Sequence, residues 1–344
     1  MENSILTPRK QKLLAMIVEK YITTGEPVGS KTLCEALDMA VSSATIRNEM
    51  AELSEMGYLE QPHTSAGRIP SQKGYRYYVD NLMGVYELNE EERRGIASWL
   101  EPTSADPDKV LERAGGILAQ LTNCAVVSTS PSDTQAVIRR AELVPIGTHT
   151  AMIVMLTSAG TLKSRVCRVD CELTLEVIES FYNIASKHFI GRSANDISTA
   201  MIQTLAAALG EKALLMTPLL VALSELAEAS SRLDIRLDGQ SNLLNYREFY
   251  ENAFELMEFL HHSNSLAQLV TRGRGDTDIK IGTENLFREL ENSSTIMSRY
   301  FIGGHDSGSL GIIGPTRMDY AKIVPSIKYL SQLVGSMLSD TLDS

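Results

Sequence analysis

Nine consecutive residues carry the most legible chemistry in the chain: Ser42, Ser43, Ala44, Thr45, Ile46, Arg47, Asn48, Glu49 and Met50. Ser42 or Ser43 can cap a helix by accepting a backbone N–H from its first turn. Ile46, Met50 and Leu53 recur at i, i+4 and i+7 and mark a buried stripe. Ala44, Arg47, Asn48, Ala51 and Glu55 then fall on the opposite face, with Thr45 and Glu52 at its flanks. Arg and Asn can each bond a base edge twice, and small neighbours let a helix end approach the major groove of DNA. An ordinary amphipathic helix with a solvated face has the same spacing, so the neighbouring elements decide between the two.

Those neighbours read as follows. Thr7 and Pro8 form a cap and first helical position. Leu14, Ile17, Val18, Tyr21 and Ile22 follow at helical spacing, and Gly25 and Pro27 end that helix near Thr24. A second, short helix starts at Ser30 and runs through Leu33 and Leu37, with a turn over residues 38–41. Gly57 stops the third helix. Residues 58–62 read as a strand, 63–67 as a turn and 68–70 as the return strand. Ser71 caps a fourth helix whose stripe is Tyr75, Tyr78, Val79 and Leu82. Two helices, a third aimed at a groove and a β-hairpin make a winged helix-turn-helix. Its hairpin tip carries His63, Thr64, Ser65 and Arg68, groups able to meet phosphates or a minor groove. Lys73 and Arg76 lie off the fourth helix's stripe, where they either neutralise phosphates or face solvent.

Charge agrees with a local rather than a global DNA surface. The 344 residues carry a formal net charge of −11. Residues 1–84 hold nine Lys/Arg against ten Asp/Glu, a net of −1, and residues 85–344 hold 23 against 33, a net of −10. Such a chain binds random DNA weakly and depends on placed contacts.

Other chemistry is sparse. No phosphate-loop pattern occurs. The glycines from Gly308 to Gly314 do not spell a dinucleotide fingerprint and read as a turn flanking a strand. His261 and His262 read as helix-surface residues, and 273–276 as an exposed loop. Cys34, Cys124, Cys167 and Cys171 are spread as reduced thiols, with no metal-ligand spacing. The expectation is no catalytic constellation, no cofactor and no metal. Residues 213–226 are apolar but broken by Thr217, Pro218 and Ser224, and no signal peptide opens the chain. The expected place is the cytoplasm, away from membranes.

In the body, residues 90–100 and 106–122 read as helices, and 124–129, 136–146, 152–157 and 162–169 as strands, with a hairpin turn at 158–160. Residues 172–228 read as almost continuous helix, interrupted at Gly191, Gly210 and Pro218. A hairpin follows around Asp238 and Gly239. Strands are expected at 279–281, 295–302 and 310–313, then a final helix from Asp319 that Pro325 can bend. The helical block is apolar on more than one face, which suits either a bundle core or a subunit interface.

Several blocks resemble the bacterial heat-inducible transcription repressor family HrcA. They are LTPRK from Leu6, YITTGEPVGS from Tyr21, SSATIRNEMAELSEMGYLEQPHTSAGRIPS from Ser42 and GYRYYVD from Gly74. GSLGIIGPTRMDY from Gly308 adds a match at the other end, with a looser middle. The resemblance implies an α+β multidomain chain: a winged helix-turn-helix at 1–84, a GAF-like domain from 85–171 and 249–344, and an inserted dimerisation domain at 172–248. It implies a homodimeric repressor of chaperone operons on double-stranded DNA, at an inverted-repeat operator (the CIRCE element), with the chaperonin GroEL keeping it active until heat diverts the chaperonin. Candidate base readers are Ser43, Ala44, Thr45, Arg47 and Asn48. Candidate hairpin contacts are His63, Thr64, Ser65 and Arg68, and candidate phosphate contacts are Lys31, Lys73 and Arg76. A second reading is a regulator whose GAF-like body senses a small effector.

Overall fold

The protein is described from a computed structural model, which places residues 6–36, 42–63, 66–84, 86–100, 107–130, 137–158, 161–170, 172–231, 233–271, 275–303 and 305–342. The N-terminal unit runs α1 (Pro8–Thr24), α2 (Ser30–Ala36), α3 (Ser43–Glu55), β1 (Leu59–Glu60), β2 (Ile69–Pro70) and α4 (Gln72–Tyr77). Thr7 caps α1, and Gly25, at φ +68°, closes it by donating its N–H to Tyr21 O at 2.8 Å. Ser71 Oγ accepts from Gly74 N at 3.0 Å and donates to Gly57 O at 2.6 Å, tying the hairpin exit to the end of α3. α4 then widens into a π-turn over Tyr78–Leu82. The expected turn at 38–41 and the end of α2 at Leu37 lie outside the described residues.

The body continues with α5 (Glu90–Leu100), α6 (Pro107–Thr122), β3 (Ala125–Thr129), β4 (Ile138–Gly147), β5 (Thr150–Thr157) and β6 (Leu162–Arg168). Next come α7 (Leu175–His188), α8 (Thr199–Leu209), α9 (Ala213–Ser231) and β7 (Ile235–Asp238). The chain ends with α10 (Ala253–His261), α11 (Ser263–Thr271), β8 (Thr277–Ile281), β9 (Ser293–Ile302), β10 (His305–Pro315) and α12 (Tyr320–Leu342). Five strands form an antiparallel sheet in the order β7-β3-β10-β9-β8. Alternation sends Val126, Ile296, Leu310 and Ile312 into the core shared with α5, α6 and α12. Ala125, Val127, Met297 and Ile313 face the other way, into a core with α10 and α11. Among the described residues, no helix is long and apolar enough to cross a membrane.

Three expectations are corrected. Residues 235–238 do not fold back on themselves as a hairpin. They pair with β3, from Val126 opposite Asp238 to Thr129 opposite Ile235. Gly239, at φ +63°, then turns the chain into short helical turns, where Asn242 Nδ2 donates to Ala119 O and Cys124 O. The glycines from Gly308 to Gly314 form no turn; they lie inside β10. A Cβ on Gly311 would strike Met297 and one on Gly314 would strike Cys124 and Met318, so the missing side chains make room for packing. Pro218 does not interrupt α9, where Thr217 Oγ1 donates to Ala213 O at 2.6 Å beside it. The breaks fall between α7 and α8 and at Gly210.

The expected division at 171/172 also cuts through a packed unit. β4, β5 and β6 form their own antiparallel sheet. Its Ile138, Leu143, Ile153 and Met155 share a core with Phe181 and Phe189 and with Leu219 and Leu223 of α9. The strands at 138–168 therefore belong with the helices that follow them, not with β3. The opposite face of this sheet sets Val144, Met152 and Val166 side by side. Ile146, Leu162 and Val166 are 58%, 64% and 59% exposed.

The N-terminal unit is seated on the five-stranded sheet. One apolar core runs from Leu14 and Ile17 through Tyr75 and Tyr78 to Ile281 and Tyr320. Tyr75 and Tyr320 rings lie 6.2 Å apart. Tyr320 OH shares a hydrogen bond with Ser294 Oγ at 2.6 Å, and burial pushes its pKa far up. Gln72 Oε1 accepts from Thr283 N at 3.0 Å and from Thr283 Oγ1 at 2.7 Å. Arg76 forms an ion pair with Glu284, a second with Asp80, and donates to Ile279 O at 2.7 Å. Replacing Arg76 with Ala should therefore cost about 1 kcal/mol in urea unfolding, the upper end for a partly solvated ion pair. An unchanged midpoint would show that the seat holds without it.

Candidate nucleic-acid interface

α3 is placed by its caps and by two ion pairs that its apolar stripe does not announce. Ser42 Oγ accepts from Thr45 N at 3.2 Å and lies 3.0 Å from Thr45 Oγ1. Ile46, Met50 and Leu53 are buried as expected, and Glu49 is buried with them. Its carboxylate pairs with Arg9, and Glu52 one turn on pairs with Lys10 at 2.6 Å. Both cations come from the first turn of α1, so α3 is clamped across that helix. The sequence signal was the pair Arg9 and Lys10 just after the cap, which lies too far from Glu49 for periodicity to connect them.

The clamp leaves Ala44, Arg47 and Asn48 exposed. Ser43 is partly buried, and its hydroxyl lies 3.3 Å from that of Ser30, bridging the starts of α2 and α3. It therefore joins helices as much as it faces outward. Thr45 is likewise engaged in the cap. Lys31 is exposed in the first turn of α2.

The hairpin is anchored by a contact that sequence reasoning missed. β1 and β2 pair over two residues, and beyond them Val28 and Arg68 bridge, each N–H donating to the other's carbonyl at 2.9 Å. The segment before α2 thus joins the hairpin through a single-residue bridge. A side chain at Gly67 would collide with the Val28 backbone, so glycine is required for that close approach. Between the two lies a cleft of about 400 Å3 lined by Gly29, Ser30, Arg47, Gln61, Gly67 and Arg68. Arg68 Nε is buried there with no hydrogen-bond partner. His63 is exposed at the approach to the tip, and Thr64 and Ser65 lie outside the described residues.

Two of the expected phosphate contacts are spent elsewhere. Lys73 Nζ donates to Met56 O at 2.8 Å and sits 4.4 Å from the centre of the Tyr58 ring, capping the C-terminal end of α3. Arg76 is held by Glu284, Asp80 and the Ile279 carbonyl, as described above. Of the basic groups near the cleft, Arg47 and Lys31 are exposed and Arg68 is partly buried. Elsewhere, no group of metal-ligating side chains is found among the described residues. Burial pushes the Cys124 thiol up to about 11, which keeps it protonated at neutral pH. His261 and His262 use Nδ1 on the Met257 and Glu258 carbonyls.

Comparison with known proteins adds the following. Residues 108–324 match a family model described as HrcA protein C terminal domain. A heat-inducible transcription repressor HrcA of Acetivibrio thermocellus is 35% identical over 347 residues, covering 97% of this chain and 99% of that protein. One of Carboxydothermus hydrogenoformans is 36% identical over 338 residues, covering 96% and 99%. A crystal structure of a hypothetical protein, at 27% identity, superposes with a TM-score of 0.71 and covers 98% of this chain and 100% of that one.

The Val28–Arg68 bridge predicts a sharp response at Gly67. Gly67→Ala should lower stability by about 1–3 kcal/mol, because the backbone must move to admit a methyl group. Amide exchange at Val28 and Arg68 should speed up with it. Retained protection at both amides would show that the bridge tolerates a side chain.

Proposed function

The chain belongs to the HrcA family, and from that premise we propose that it is a heat-inducible transcription repressor that reads DNA through α3. The observation that carries this reading is the exposure of Arg47 and Asn48 beside a cleft shared with Arg68. The first three helices and the hairpin act as a winged helix-turn-helix. Arg47, Asn48 and Ala44 meet base edges in the major groove, with Ser43 and Thr45 at the helix start close to the backbone. Arg68, His63, Thr64 and Ser65 serve the hairpin's contact with the flanking groove, and Lys31 meets a phosphate. Lys73 and Arg76 act as internal braces instead. Such a regulator is not an enzyme and works in the cytoplasm, where its DNA lies.

The finer assignment follows the resemblance. The operator is an inverted repeat of the CIRCE type, read by two copies whose two-fold axis matches that of the DNA. The five-stranded sheet with its helices acts as the GAF-like domain. The unit from β4 to α9 is the dimerisation insert, supported by the uncovered apolar face of its sheet. GroEL favours the binding-competent state, so heat lowers repression when unfolded proteins compete for the chaperonin.

Two outcomes are expected. Arg47→Ala should weaken operator binding by roughly 1–3 kcal/mol in a gel-shift titration, the worth of one good bidentate base contact. Unchanged affinity would remove Arg47 from the base readers. Leu162→Glu combined with Val166→Glu should yield a monomer by light scattering, because paired copies would bury four carboxylates. A persistent dimer would exclude that sheet face as the interface.

A further inference from the structure

A second concave site shares no lining residue with the cleft at α3. α5, α6, α12 and the connector after α4 enclose a cavity of about 260 Å3. Trp99 and Leu121 line it and remain 48% and 43% exposed. Ile96 and Ile323 are its buried floor. Gly95 leaves one wall open, since a Cβ there would meet nothing within 4 Å. The volume falls just below the roughly 300–1,000 Å3 of drug-sized sites, which limits an occupant to a small one.

The rim carries two charges of unequal availability. Glu92 is committed: Oε1 accepts from Tyr86 OH and Oε2 from Asn89 N at 2.9 Å. Those bonds hold its carboxyl below the usual range and fix the connector to α5. Lys322 is exposed on the same rim, and its charge reaches Glu92 and helps to hold that carboxyl low. With both Glu92 oxygens already taken by Tyr86 and Asn89, the Lys322 ammonium is the rim charge left to meet an occupant of opposite sign.

We propose that this cavity binds a small amphipathic anion, an aromatic or aliphatic carboxylate or sulfonate. Its apolar body covers Trp99 and Ile323, and its acid group reaches Lys322. The occupant touches the connector and α12 together, so it bears on the joint between the N-terminal unit and the body. The site stands apart from the DNA-reading assignment, because none of the α3 or hairpin contacts lines it.

The test uses the full chain and 8-anilinonaphthalene-1-sulfonate as probe. Trp99 is the chain's single tryptophan, so its emission reports the site directly. The expected result is saturable quenching of Trp99 with a matching rise in probe emission. Gly95→Leu fills the cavity with a better helix former and should abolish the Trp99-linked binding while far-ultraviolet circular dichroism stays unchanged. Lys322→Gln, at an exposed position, should weaken sulfonate binding about tenfold, as the loss of a charge-assisted hydrogen bond predicts. The uncharged N-phenyl-1-naphthylamine should bind both chains alike. Undiminished quenching in Gly95→Leu would overturn the cavity as the site. Equal sulfonate affinity in wild type and Lys322→Gln would overturn the preference for an anion.

Discussion

Arg76 leaves the N-terminal unit, meets Glu284 and the Ile279 carbonyl of the sheet unit, and so determines how α3 is held relative to the rest of the chain. The contact is partly solvated, with both side chains a little under 30% exposed, so it is a modest source of stability. The energy of the joint comes from the apolar core that continues from Tyr75 and Tyr78 into Tyr320 and Ile281. An apolar contact is forgiving about rotation, whereas a forked guanidinium on a carboxylate has few acceptable orientations. Arg76 therefore supplies register to a joint that burial holds together. Gln72 on Thr283 repeats the constraint one turn earlier on the same helix.

The same division of labour explains where the module's positive charge goes. Arg9 and Lys10 clamp α3, Lys73 caps it and Arg76 anchors the unit. Four of the nine cations before residue 85 are thus spent on shape. What remains near the cleft is too little for strong sequence-independent binding, which scales with the number of phosphates neutralised. In the proposed dimer, affinity would come from engaging two half-sites together, and discrimination from a few groups held in fixed places.

How much of this was legible depends on whether a feature is local. Caps and stops were: Thr7, Ser42 and Ser71 cap, and Gly25 terminates, because each acts within one turn. The stripe of α3 was visible for the same reason. The burial of Glu49 was not, since it needs Arg9 forty residues away. Val28 gave no strand signal, being a single residue that pairs with Arg68 across two intervening helices. β7 misled because Asp238 and Gly239 are good turn residues. They do turn the chain there, but the strand before them finds its partner in β3, across more than a hundred residues of sequence. The place of β4 to β6 was hidden too. Alternating strands look alike whichever core they serve, and only packing assigns them to α7 and α9.

The position of that inserted unit then bears on function. The chain leaves the five-stranded sheet at the end of β3 and returns at the start of β7, and these two strands are neighbours. Both covalent tethers therefore lie side by side on one sheet edge. Lys163 of β6 adds an ion pair to Asp234 at the foot of β7, and Arg165 pairs with Glu225 of α9. Two adjacent tethers alone would make a hinge; the Lys163 contact gives the hinge a preferred angle. In the proposed dimer, half-site spacing is set along one continuous path from α3 through α1, α4 and Glu284 to β3, β7 and the insert. At α1 and at Glu284 that path pairs a tolerant apolar core with directional polar contacts. On the proposed reading, loosening these polar contacts would leave a folded protein whose two reading helices no longer match the operator. In that dimer, repression would respond to perturbations well below those that unfold the chain.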